Sequence, residues 1–314
     1  MPPRHNTEAS NAPAASQTNT ARTCAIVVTY LPDSGIALRL QTLAAQVDSM
    51  MVVDNTPGGR DAWPVPIPTV DSIPFAIVEN RANLGIAAAL NIGLNHEMAL
   101  DCRWVLTMDQ DTLSYPDMVD TLLLAAEACQ SAPAVIGGNY FDVKKGRHEV
   151  PGSAPGQCQE KKTVITSGCL VDAPFAREIG GFREDFFIDQ VDHEFCLRAR
   201  AHGRRVAITV MPVMQHSVGG WNGPRVPLLG WELPEHSALR KYYITRNSIV
   251  IARTYWRKEP VWCLVRLTRL FAGVTSIVLF EPEKAKKIRA FATGLGDGLQ
   301  GRMGKCSHDW LRPV

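Results

Sequence analysis

The chain has 314 residues, 46% of them hydrophobic and 20% charged, with a formal net charge of +2. That composition supports a sizeable core and excludes a disordered chain. The near-neutral balance argues against a general nucleic-acid binder. The charge is unevenly spread: from Arg240 to the C-terminus there are 15 Lys/Arg against 5 Asp/Glu, and the part before it is net acidic. Two surfaces with different tasks are expected.

Residues 1–22 are rich in Pro, Ala, Asn, Ser and Thr and have no apolar stretch. They read as a disordered tail, not a targeting signal. Thr23 to Tyr30 reads as a central buried strand, and Ile36 to Val47 has helical spacing. Met50 to Val53 is a second strand, ending at Asp54-Asn55, and Phe75 to Glu79 a third. Gly85 to Leu100 reads as a helix. Trp104 to Met108 is the fourth strand and stops at Asp109-Gln110-Asp111. Ser114 is placed to cap the next helix, with Asp117 three residues on. Strand and helix alternate, which implies βαβ units, an α/β fold and a mostly parallel sheet.

Beyond residue 133 the pattern loosens. Short strands are expected near Ala134 to Gly137, Val164 to Ile165, Arg205 to Thr209 and Val213 to His216, with a helix over Val191 to His202. From His236 onward the chain reads as helical. Val261 to Phe280 is about long enough to span a bilayer. Arg266 and Arg269 inside it share one helix face, which favours an amphipathic helix, either lying on a membrane or packed on the body. The basic cluster Lys284, Lys286, Lys287 and Arg289 favours contact with anionic lipid. The eight cysteines form no C-x-x-C pair, so they read as scattered free thiols of a reducing, cytoplasmic protein.

Ligands of open α/β sheets bind at the carboxyl ends of strands. Asp109 and Asp111, one residue apart at such an end, suit Mg2+ or Mn2+ bridging nucleotide phosphates. Asp54 can accept from a ribose hydroxyl or a pyrimidine N–H. Taken alone it reads as a turn former. Asn83-Leu84-Gly85 opens a helix where an anion or ligand backbone contact is favoured, but there is no Walker loop or dinucleotide fingerprint. Asp189, Asp192 and Glu194 lie among Phe186, Phe187 and Phe195. Carboxylates there gain from the helix N-terminus, and burial can tune one of them toward a base. His216, closing a strand, suits a metal or phosphate contact.

In order along the chain, Val27-Val28-Thr29-Tyr30, Val53-Asp54-Asn55, Asn83-Leu84-Gly85 through Asn91-Ile92-Gly93, Asp109-Gln110-Asp111, Thr166-Ser167-Gly168-Cys169, Phe187-Ile188-Asp189 through Arg198, and His216 resemble the inverting nucleotide-sugar glycosyltransferases of family 2. The resemblance covers about residues 23–300. Arg240 to Asn247 and Gly296 to Arg302 are similar to the rhamnosyltransferases within that family.

The resemblance implies an A-type glycosyltransferase fold over residues 23–235 and a basic helical portion over 236–314. It implies dTDP-L-rhamnose as donor and a glycolipid or lipid-linked glycan as acceptor. Mono-rhamnolipid is the first expectation for that acceptor, and an O-antigen or other polysaccharide the alternative. Thr29, Tyr30 and Asp54 would hold the nucleoside, Asn83 and Gly85 line the donor pocket, and Asp109 contact the ribose. Asp111 would ligate Mg2+ or Mn2+, with His216 adding a ligand. Asp192 would be the base, oriented by Glu194, although Asp189 competes for the role because the family's Glu-Asp is Val191-Asp192 here. Tyr243 and Arg246 would touch the leaving diphosphate. The enzyme would sit peripherally on the cytoplasmic face of the inner membrane.

A sugar nucleotidyltransferase is a rival reading, but it predicts a Gly-rich basic loop where Tyr30-Leu31-Pro32-Asp33 stands. A silent partner subunit of a glycan-building complex predicts damaged acids, and all of them are present.

Overall fold

The computed structural model describes residues 22–66, 69–129, 131–143, 146–152, 154–216 and 236–311. Its first half follows the expected alternation: β1 (Thr23–Thr29), α1 (Ile36–Ala44), β2 (Ser49–Asp54), β3 (Phe75–Glu79), α2 (Ile86–Leu94), α3 (Glu97–Leu100) and β4 (Trp104–Asp109). β1, β2 and β4 are apolar runs buried along nearly their whole length, as strands covered on both faces must be. β1 lies between β2 and β4, and β2 pairs β3, all in parallel. Helix α2 is rich in Ala because it lies close on this sheet. A Cβ on its Gly93 would come within 2.5 Å of Ile26.

The second half adds β5 (Leu113–Ser114), α4 (Met118–Ala128), β6 (Pro133–Asp142), β7 (Arg147–His148), β8 (Cys158–Glu160), β9 (Cys169–Asp172), α5 (Ala173–Glu178), α6 (Val191–Ala201) and β10 (Arg205–His216). The main strand order is β3-β2-β1-β4-β9-β6-β10-β5. β9 runs antiparallel to both β4 and β6, and β5 and β8 antiparallel to β10. The sheet is therefore mixed, not mostly parallel.

Several local expectations are corrected here. Val164 to Ile165 is irregular, and the strand lies further on, at β9. The two expected strands near residues 205 and 213 are one, β10, with register shifts against β6. Ser114 sits in β5 and caps nothing. Helix α4 starts four residues later, after Asp117. The long helix expected from Gly85 is broken at Asn95 into α2 and α3.

Three helices complete the chain: α7 (Ala238–Tyr255), α8 (Pro260–Phe280) and α9 (Lys284–Gln300). Small residues let α9 press on α7, since a Cβ on Gly294 would lie 2.5 Å from the Tyr242 carbonyl oxygen. The Tyr242 hydroxyl donates to Asp297 across this seam at 2.8 Å, which explains the Gly-Asp-Gly of the tail. All eight cysteines are free thiols.

Candidate functional site

The C-terminal ends of β1, β2 and β4 meet at one edge of the sheet. Asp54 is fully buried there. Its Oδ1 accepts from the Thr29 hydroxyl at 2.9 Å and the Thr56 hydroxyl at 2.7 Å, while its Oδ2 is buried without a partner. An orphaned carboxylate oxygen is costly, and a nucleobase N–H or ribose hydroxyl would satisfy it. Thr29 thus positions Asp54. Tyr30 is exposed, and its backbone N–H donates to the Gln110 side chain at 2.7 Å, tying the end of β1 to the turn between Asp109 and Asp111.

Asn83 and Gly85 are absent from the lining of the cavity that holds the acids, which Ile86 reaches. The Asn83 side chain accepts from the Gly85 N–H at 3.0 Å, making an Asx-type turn. Gly85 has φ +89, and a Cβ there would lie 2.4 Å from the Phe187 carbonyl oxygen. The glycine admits another segment of the chain, not a ligand. Gly85→Ala is expected to cost about 2 kcal/mol or more, from positive φ and overpacking combined, read as a fall in the urea midpoint.

Asp109, Asp189, Asp192 and His216 face one cavity of about 680 Å³, together with Arg240 and Arg266. Burial, then the nearby Asp111 and Asp192 carboxylates, push Asp109 up to about 7. Asp111 is exposed, with Oδ1 4.0 Å from His216 Nδ1. His216 is buried, bonded to Thr112 Oγ1 at 2.8 Å, and burial lowers its pKa. Among the described residues no group of three or more His, Cys, Asp or Glu side chains could enclose a metal. One carboxylate and one imidazole at this spacing instead suit a hard cation completed by substrate phosphate oxygens and water. The donor set therefore fits Mg2+ or Mn2+ held jointly with a nucleotide.

Asp189 lies within, and Asp192 just beyond, the tight segment Phe187 to Gln190, in which Phe187, Asp189 and Gln190 all have positive φ. Such backbone persists only when its surroundings hold it. Here α7 holds it. Asn247 Nδ2 donates to the carbonyls of Phe186, Ile188 and Asp189 at 2.8–3.1 Å. Arg246 donates to those of Asp185 and Phe186. Arg240 pairs with Asp189 at 2.6 Å. Asp192 stands in the first turn of α6 and accepts from the His193 N–H at 2.7 Å.

Three assignments implied by the resemblance are corrected by this placement. Glu194 is absent from the cavity lining. It is buried against Arg198 at 3.1 Å and the Tyr255 hydroxyl at 2.9 Å, and burial raises its pKa. Tyr243 is buried, stacked on Phe187, and its hydroxyl accepts from the Cys306 N–H. Arg246 is wholly buried in the loop clamp. Glu194 lies two residues beyond Asp192 on α6, and two residues along a helix point to different faces. Glu194→Gln is expected to leave kcat near wild type and to cost about 1–3 kcal/mol of stability. A collapse of kcat in a fully folded variant would return Glu194 to the chemistry.

Arg240, His193, Arg266 and Arg269 are cavity residues that reading the sequence for acids passed over. The shared face of Arg266 and Arg269 was legible, and it turns inward to the cavity. The basic cluster is also divided: Lys284 and Lys286 are exposed, but Lys287 is buried against Glu281 at 3.1 Å.

No family model matches the chain. It is 26% identical over 295 residues to the dTDP-rhamnosyl transferase RfbF of Shigella flexneri, spanning 89% of this chain and 96% of that one. Among solved structures, GalNAc-T7 with UDP, GalNAc and Mn2+ superposes with a TM-score of 0.53 at 10% identity, over 91% of this chain and 57% of that one. TarS 1–349 of S. aureus in complex with UDP-GlcNAc gives a TM-score of 0.49 at 14% identity, over 89% and 92%. The chain has the A-type glycosyltransferase fold, with a helical C-terminal region.

Proposed function

We propose that this glycosyltransferase transfers L-rhamnose from dTDP-L-rhamnose to a hydroxyl of a lipid-linked glycan of the polysaccharide type, with inversion at the anomeric carbon. The observation that carries the reading is the convergence of Asp109, Asp192 and His216 on one cavity beside the exposed Asp111. The curated relative supports the donor. Nothing in that relative supports mono-rhamnolipid as acceptor, and the alternative acceptor fits better.

Asp192 takes the proton of the acceptor hydroxyl, whose oxygen attacks the anomeric carbon of the sugar. The bond from that carbon to the diphosphate breaks, and dTDP leaves with the electron pair. Asp189 is the poorer base because Arg240 already neutralises it. His193 beside Asp192 is pushed toward its neutral form by burial, so it adds no fixed cation there. Asp54 and Thr29 hold the nucleoside, and Arg240 tethers the loop. When bound, Mg2+ or Mn2+ at Asp111 and His216 supplies positive charge to the departing diphosphate.

The test is dTDP release by the purified protein with Mg2+. Donors are dTDP-L-rhamnose and UDP-glucose, each offered with a lipid-linked glycan or a mono-rhamnosylated lipid. Glycan-dependent release from dTDP-L-rhamnose, giving an α-linked product by NMR, is the expected result. Consumption of UDP-glucose with dTDP-L-rhamnose untouched would sink the rhamnosyl reading.

A further inference from the structure

Beside the cavity that holds the acids is a second one of about 380 Å³. The two share Ile165, His193, Arg266 and Arg269. The second contains none of Asp109, Asp111, Asp192 or His216, but it reaches His193, the neighbour of the base. Its lining carries Lys161, Arg266 and Arg269 against one acid, Glu149, which takes a hydrogen bond from the Tyr140 hydroxyl at 3.3 Å.

Among the described residues none of the three cations forms a salt bridge within 4.0 Å, although the Asp192 and Asp189 carboxylates lie near enough to Arg266 to act on its charge. Arg266 lies 3.4 Å from His193 Nδ1 and 6.0 Å over the Trp262 ring. Its burial lowers its pKa, so the charge is held where water cannot fully solvate it. Arg269 is exposed and Lys161 and Arg266 are half-buried, so the three cations line a cavity that an arriving anion can enter.

The helix supplying both arginines has a second face. Val261, Leu264, Phe271, Val278, Leu279 and Phe280 of α8 are exposed. The helix is 21 residues long, and its most apolar stretch has a mean hydropathy of 1.7 and is only 11% buried. Such a face suits the edge of a bilayer, and Arg257 and Lys258 before it with Lys284 and Lys286 after it complement anionic headgroups. One helix thus turns apolar side chains outward and guanidinium groups toward the base.

We propose that the second cavity is the acceptor subsite and binds, through Lys161, Arg266 and Arg269, the phosphate or diphosphate that joins the acceptor glycan to its lipid, with α8 lying at the membrane surface. This rests on the glycosyltransferase reading above, but the site can be tested without turnover. Binding of farnesyl diphosphate, farnesol and inorganic diphosphate is measured by calorimetry on the full chain, with and without saturating dTDP and Mg2+. Both diphosphates are expected to bind alongside dTDP, and to bind about tenfold or more weakly to the double variant Lys161→Gln/Arg269→Gln, since two charge-assisted contacts are lost. Tighter binding of the farnesyl compound identifies the lipid-linked source, and equal binding a free anion, which would overturn the lipid assignment. Displacement of diphosphate by dTDP would place the arginines on the donor's leaving group and overturn the proposal, as would undiminished binding to the double variant or equal binding of farnesol. A failure of dTDP itself to bind would count against the nucleotide-sugar reading alone.

Discussion

Asp192→Asn is expected to lower kcat by about 10²–10⁴-fold, the usual contribution of a general base, with dTDP binding by calorimetry unchanged. Asn keeps the shape of Asp and the oxygen that accepts from the His193 N–H at 2.7 Å, so α6 should start as before. What is lost is the ability to take a proton. Asp189→Asn provides the comparison. Asp189 is bound by Arg240 through both carboxylate oxygens, at 2.6 and 3.3 Å, and an amide oxygen can keep one of those contacts. Its effect should be smaller and should act through the loop. Near-normal turnover by Asp192→Asn, or an equal loss in Asp189→Asn, would remove Asp192 from the role of base.

The parallel half of the fold was legible because its strands are short apolar runs ending in Asp54 and Asp109, and burial on both faces leaves that mark. β9 was not legible. Cys169 to Asp172 is only four residues, and its antiparallel place between β4 and β6 is set by partners far away in sequence. The acids of the cavity were legible as carboxylates at strand and helix ends. The direction in which each side chain points was less so. Asp192 and Glu194 are two residues apart, yet one reaches the cavity and the other the core against Tyr255. The same limit applies to Arg246 and Tyr243. Their motif was visible, but whether it faces a ligand or grips a strained loop depends on how α7 packs. Arg266 and Arg269 show the converse. Their common face was evident from spacing, and only the docking of α8 decides that it faces the cavity.

Arg246 makes the strained loop possible, and Arg246→Met is expected to cost about 3 kcal/mol of stability. The guanidinium donates to the carbonyls of Gly304 at 2.6 Å, Phe186 at 3.0 Å and Asp185 at 3.2 Å, and to the Asn247 side chain at 2.9 Å. It lies 4.9 Å over the Tyr243 ring and 5.5 Å from that of Tyr242, which offsets part of the cost of burying its charge. Met fills much of the volume and removes the desolvation cost of the cation. It leaves the Gly304 carbonyl and the Asn247 side-chain oxygen without this donor, while the Asp185 and Phe186 carbonyls keep the Gly304 and Ile188 N–H groups, and the loss of these bonds is larger than that gain. The positive-φ residues Phe187, Asp189 and Gln190 follow directly, so the positions of Asp189 and Asp192 loosen with them. A lowered urea midpoint, together with reduced kcat in the fraction that remains folded, is the expected pair of results. If the midpoint stays at the wild-type value while KM for the nucleotide sugar rises, Arg246 contacts the leaving diphosphate, and the clamp is not its function.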